Sequence, residues 1–126
     1  LCGSAVVYQI PTKVAWLDID PHLIEQQGYV SEEVAERMAS GVLSKTPHAT
    51  LAASITGDLG PNADPSTDGT AWIAILTRDQ RRMTKFVDLP SAVPDNQSTE
   101  ITLRRHRQEV AVQMVLTAIL QFLHSA

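Results

Sequence analysis

The stretch that decides the fold is "SEEVAERMASGVLSKTPHATLAASITGDLGP", residues 31–61. Its first half repeats apolar residues at helical spacing. Val34, Met38 and Val42 fall on one stripe, and Ala35, Ala39 and Leu43 on the next. Ser31 is a natural N-cap, and Glu32 and Glu33 in the first turn complement the helix dipole. The second half changes period. "ATLAASIT" (49–56) reads as a buried strand, and "GDLGPNADPSTDG" after it is dense in Gly, Pro, Asp and Asn, which marks an irregular loop.

Working outward, "TAWIAILTR" (70–78) and "MTKFVDL" (83–89) predict two strands joined by the polar link "DQRR", a hairpin. "PSAVPDNQ" reads as a second loop, and a long helix is expected from about Ser98 to the end. On the other side, "CGSAVVYQI" (2–10) is a β-branched run bounded by Gly3 and Pro11 and predicts a buried strand. Pro11 suits the first position of a helix over "PTKVAWLDI", with Val14 and Leu17 on one face. Asp20 and Pro21 start another over "PHLIEQQ", which Gly28 ends. The order β-α-α-α-β-β-β-α predicts the α/β class: one domain over 1–126, with a small mixed β-sheet covered by helices.

Composition narrows the function. The chain has 126 residues, 44% apolar and 19% charged, with a net charge of −4. That balance gives no electrostatic footprint for nucleic acid or an anionic membrane. A single cysteine, Cys2, permits no internal disulfide. No apolar run nears the ~20 residues that span a bilayer. A soluble, cytoplasmic domain is the expectation. The chain opens on Leu1 and enters an apolar run almost at once, so residues upstream are expected.

Three groups of residues carry candidate chemistry. Tyr8 and Lys13 flank the first strand-to-helix corner. A lysine desolvated there would have a lowered pKa and could act as a base, with the tyrosine relaying a proton. Spacing alone favours the other reading, a half-buried strand tyrosine and a solvated helix lysine, because such a pair is common by chance. Thr56 and Gly57 open the loop at the carboxyl edge of a strand, where free amides can hold a carboxylate, phosphate or oxyanion. "LRRHRQE" places Arg104, Arg105, His106 and Arg107 near a helix start, against the dipole. Arginine's planar fork suits an anion, although a solvated face accounts for at least two of the four. The four histidines, His22, His48, His106 and His124, lack metal-ligand spacing. Trp16 and Trp72 read as core residues. The last helix, apolar around most of its circumference over "VLTAILQFL", predicts burial against another chain or another segment.

These pieces, in this order, resemble the CinA C-terminal domain family, whose activity is nicotinamide-nucleotide amidohydrolase. "CGSAVVYQIPTK" is similar to the family's glycine-containing strand ending in Tyr-Ser-Asn-Glu-Ala-Lys. "LDIDPHLIEQQGYVSEEVAERMASGV" resembles its "lGV…L…hGaVSeeVaeaMA" stretch, and "AASITGDLGP" its "avTGIAGP" loop. "DGTAWIAI" is similar to "vGTVWIA", and "RHRQEVAVQMVLTAIL" to the closing "gdReeVR…A…AL" helix. The resemblance implies deamidation of nicotinamide mononucleotide by a serine nucleophile and a lysine base, with no metal and no cofactor. It assigns Lys13 as base, Tyr8 as its neighbour, Thr56 and Gly57 as substrate contacts, and Arg107 as a substrate-binding arginine. The implied partners are a small-molecule nucleotide and a second copy of the chain, a homo-oligomer, without nucleic acid or membrane.

The family's Ser-Cys-Thr-Gly-Gly nucleophile segment is not among these residues. Gln9-Ile10-Pro11-Thr12 stands where the family has Ser-Asn-Glu-Ala, Asp58-Leu59 where it has Ile-Ala, and residues 88–98 are longer than its usual connection. The chain alone is therefore expected to be inactive. The alternative is a non-catalytic nucleotide-binding or assembly module of the same fold.

Overall fold

A computed structural model describes residues 1–95 and 102–125 of the chain. Three short helices come first: α1 (Ile10–Leu17), α2 (Pro21–Gln27) and α3 (Glu32–Lys45). Strands β1 (Leu51–Asp58), β2 (Thr70–Thr77) and β3 (Arg82–Asp88) follow, and α4 (Leu103–His124) closes the chain. The strands form an antiparallel sheet in the order β1-β2-β3. Helices α1 to α3 lie on one face and α4 on the other, a three-layer α/β arrangement.

The strand period of two assigns side chains to the layers. From β2, Ala71, Ile73 and Ile75 pack with Ala111, Ala118 and Phe122 of α4. Trp72, Ala74 and Leu76 face Ala35, Ala39 and Leu43 of α3. In β1, Ala52, Ser54 and Thr56 are the buried set. Ser54 donates to the Ala35 carbonyl at 2.5 Å and fixes α3 to the sheet. Ser31 caps α3 as expected, its hydroxyl accepting from Val34 N at 3.2 Å and donating to Gly28 O at 2.8 Å.

The approach of α1 to α3 is close. A Cβ built at Gly41 would lie 2.6 Å from the Leu17 carbonyl oxygen and 2.9 Å from its Cβ. Only a residue without a side chain admits the end of α1 at that spacing. Leu17, Ile19, Ile24, Val34 and Met38 complete the small core between these helices.

Two expectations are corrected. The strand predicted at 2–10 does not form; residues 1–9 carry neither strand nor helix until α1 begins at Ile10. Of this run only Val7 is buried, in the core shared by the first three helices. The backbone acceptors a ladder would use are taken: Lys13 holds the Val7 and Tyr8 carbonyls, and the Gln9 carbonyl accepts from Thr12 and Lys13 N. Trp16, predicted in the core, is 56% exposed, because α1 buries Lys13 and Leu17 and turns the indole away. Trp72 is partly buried, packed against the α3-facing core and edge-on to Phe86 at 5.4 Å.

The expected start of the last helix at Ser98 lies outside the described residues. Within them Thr102 is the N-cap, its hydroxyl accepting from Arg105 N at 3.1 Å. Along α4, Val112, Leu116, Leu120 and Leu123 form an exposed apolar stripe opposite the face that packs on the sheet. No helix among the described residues is long and apolar enough to cross a membrane.

Candidate functional site

A groove of about 670 Å³ runs between the N-terminal segment, the outer edge of β1 and the ends of α1 and α3. Tyr8, Lys13, Thr56 and Gly57 all line it. The four residues come from three separate places in the chain, and the fold brings them to one surface.

Lys13 is 3% exposed, so the solvated reading of this residue is excluded. It sits on the buried face of α1, one turn before Leu17. Its Nζ donates to the Val7 carbonyl at 2.7 Å and to the Tyr8 carbonyl at 3.2 Å. No carboxylate is paired with it among the described residues. Burial alone holds its amine below the ordinary lysine range. Burial thus shifts this amine toward its neutral, proton-accepting form, while the two carbonyls it donates to hold it in place.

Tyr8 is neither half-buried nor in a strand; it is 69% exposed at the lip of the groove. Its carbonyl, rather than its phenol, touches Lys13. Thr56 is buried on the α3-facing side of β1, and its hydroxyl donates to the Tyr29 carbonyl at 2.6 Å. Its oxygen retains lone pairs but its proton is engaged. The expectation that Thr56 and Gly57 open the loop is corrected: both lie within β1, which runs to Asp58, opposite Trp72 and Ala71 of β2, and Gly57 packs tightly on β2. A Cβ there would stand 2.7 Å from Ala71 Cβ and 2.9 Å from the Thr70 carbonyl oxygen.

Arg107 lies elsewhere. It is 4% exposed, does not line the groove, and is held wholly by the protein. Its Nε donates to Pro90 O at 2.8 Å; Nη1 donates to Leu59 O at 2.7 Å and to Asp68 Oδ1 at 3.1 Å. Gly60 and Gly69 close around the guanidinium. Both have positive φ, +52° and +73°, and a Cβ on either would stand 2.8 Å from an Arg107 nitrogen. The arginine thus ties both ends of the 58–69 loop to α4. Beside it Arg104 Nη1 donates to Gly60 O at 3.0 Å, while Arg105 makes a surface pair with Glu109.

Two residues of this region escaped the sequence reading. Tyr29, in the link between α2 and α3, lines the groove and donates its phenol to Asp58 Oδ2 at 2.9 Å. Asp68 is the carboxylate that meets Arg107. The only signal for Tyr29 was an aromatic just ahead of a helix cap; for Asp68, in a loop with several polar residues, there was none. Among the described residues no three His, Cys, Asp or Glu side chains group as a metal site.

Comparison with known proteins bears on the family and the fold. A CinA-like protein of Mycobacterium marinum is 36% identical over 106 residues, covering 82% of this chain and 25% of the relative. One of Mycobacterium tuberculosis is 36% identical over 108 residues, covering 84% and 25%. The chain therefore spans about a quarter of the length of these curated relatives. A CinA superfamily crystal structure from Escherichia coli superposes with a TM-score of 0.76 at 24% identity, over 91% of this chain and 60% of that one. The competence damage-inducible protein A of Klebsiella pneumoniae gives 0.76 at 22% identity, over 95% and 68%. At those identities the structures establish the fold. The CinA C-terminal domain profile matches residues 1–125, and the chain belongs to that family.

Proposed function

We propose that this chain forms the base-bearing part of a nicotinamide-nucleotide amidohydrolase. The reaction is nicotinamide mononucleotide plus water giving nicotinate mononucleotide plus ammonia. The observation that carries this reading is Lys13: an amine 3% exposed that donates to two backbone carbonyls, at a groove that also contains Thr56 and Gly57.

In this reading neutral Lys13 removes the proton from a serine hydroxyl as its oxygen attacks the carboxamide carbon. The carbonyl oxygen becomes an oxyanion near Thr56 and Gly57, at the edge of β1 that lines the groove. Collapse expels ammonia, which takes the proton from Lys13, and leaves an acyl ester. Water, deprotonated by the same amine, then cleaves the ester to the free acid and restores the serine. None of the serines among these 126 residues is assigned as that nucleophile. Arg107 holds the 58–69 loop that follows Thr56 and Gly57 in the chain and acts as a positioning residue.

A second reading, a non-catalytic nucleotide-binding or assembly module, is favoured by one observation. Among the described residues no hydroxyl or thiol is hydrogen-bonded to Lys13 Nζ. Ammonia release separates the two. The 126-residue chain should release none above buffer from nicotinamide mononucleotide. The chain extended with whatever coding sequence lies upstream of Leu1 should release one equivalent per nicotinate mononucleotide formed, and Lys13→Ala should abolish it. An extended chain that binds the nucleotide without hydrolysing it would establish the second reading instead.

A further inference from the structure

Tyr29 is an exposed aromatic residue (37% exposed) that is nevertheless fixed at both ends. Its carbonyl accepts from the buried Thr56 hydroxyl at 2.6 Å, and its phenol donates to Asp58 Oδ2 at 2.9 Å. Asp58 is itself held. The same Oδ2 accepts from Thr67 Oγ1 at 3.1 Å, and Oδ1 accepts from Gly60 N at 3.3 Å. A ring ordered before a ligand arrives does not lose its rotamer freedom on binding, which is the usual cost of an aromatic contact.

The chemistry behind the ring sets what it would hold. A carboxylate accepting the phenol proton adds electron density to the ring and strengthens the negative potential of its face. Burial, then the hydrogen bond to Asp58, push the Tyr29 phenol up from its ordinary range, so it remains a neutral donor at physiological pH. Lys13 shares the groove, and burial lowers its affinity for a proton.

We infer that Tyr29, held by Asp58, is a stacking wall for a planar cationic heteroaromatic ring, and that it selects a pyridinium over the uncharged dihydropyridine of the same skeleton. The inference rests on the functional reading above for the nucleotide attached to the ring, but the ring chemistry is Tyr29's own. It names a specificity element on the α2–α3 link, apart from the lysine and the loop.

Calorimetric titration of the 126-residue chain tests it with three probes: nicotinamide mononucleotide, the 1-methylnicotinamide cation, and neutral 1-methyl-1,4-dihydronicotinamide. Both cations should bind, and the dihydropyridine at least 10-fold more weakly. Tyr29→Ala should weaken the cations about 10-fold, Tyr29→Trp should restore them, and Asp58→Asn should cost about 3-fold, within the range of cation–π contacts. Circular dichroism checks that each variant is folded; Tyr29→Trp keeps the test valid if Tyr29→Ala is not. Nicotinamide mononucleotide binding that Tyr29→Ala leaves unchanged, or equal affinity for the dihydropyridine, would overturn the inference and leave the functional reading standing. Binding of the methyl cation but not the nucleotide would do the reverse. Failure to bind either cation would overturn both.

Discussion

Replacing Arg107 by alanine should be among the most damaging single changes in this chain. The substitution leaves the Pro90 and Leu59 carbonyls and the Asp68 carboxylate without their shared donor. Removing one partner of a buried ion pair costs about 3–5 kcal/mol. The Asp68 side chain is partly open to water and recovers some hydration, so the lower end, about 3 kcal/mol, applies. For a chain of this length that corresponds to a fall in Tm of about 12 °C. Gly69→Ala should cost about 2–4 kcal/mol, from its left-handed backbone and from a Cβ 2.8 Å from Arg107 Nη2. In an Arg107→Ala background the clash disappears and only the backbone cost remains. The double mutant should therefore be about 1–2 kcal/mol more stable than the sum of the singles. Urea unfolding followed by tryptophan fluorescence, at a common m-value, measures all four corners. A cost below 1 kcal/mol for Arg107→Ala, or strict additivity, would refute the account of the arginine as the tie between the loop and α4.

Two further outcomes are expected. Lys13 titrates below the ordinary lysine value of 10.5 in the folded chain and at that value when unfolded. Between the two pKa values the unfolded chain holds the proton and the folded one does not. The cost of burying the ammonium is thus complete below the folded pKa and is relieved as pH rises toward 10.5. Wild type should gain on Lys13→Met over that window, and NMR of 13C-methylated lysines, with exposed Lys45 and Lys85 as references, should give Lys13 the lowest midpoint. Coincident midpoints for the three would contradict it. For α4 we propose a second copy of the chain as the cover of its exposed stripe. From Val110 to Leu123 there is no Asp, Glu, Lys or Arg, so two such faces meet without like charges. Sedimentation should give a dimer that Leu116→Glu converts to a folded monomer; a wild-type monomer at high micromolar concentration would rule this out.

The legible parts of the sequence were those where one signal dominates. In α3 the apolar period, the Ser31 cap and the acidic first turn all agree, and the helix lies where they place it. The hairpin of β2 and β3 was equally plain. Residues 2–10 misled because a β-branched run describes what a segment can do, while pairing depends on which acceptors remain free. There the buried Lys13 amine holds two of the carbonyls. The same amine was underdetermined in the sequence, since a five-residue separation from Tyr8 says nothing about depth. The Arg107–Asp68 pair spans 39 residues and joins a loop to a helix, a tertiary contact that local pattern does not encode.

The contact at Gly41 has a chemical consequence for an atom it never touches. Leu17 closes α1 against that glycine, and Lys13 sits one turn back on the same rigid helix. A methyl group at position 41 would have to displace the helix end outward, tilting the amine toward solvent and raising its affinity for a proton. The spacing of two helices at a residue outside the groove therefore acts as a control on basicity. It offers a way to shift the amine's affinity for a proton from position 41 without replacing Val7 or Tyr8, whose carbonyls it donates to.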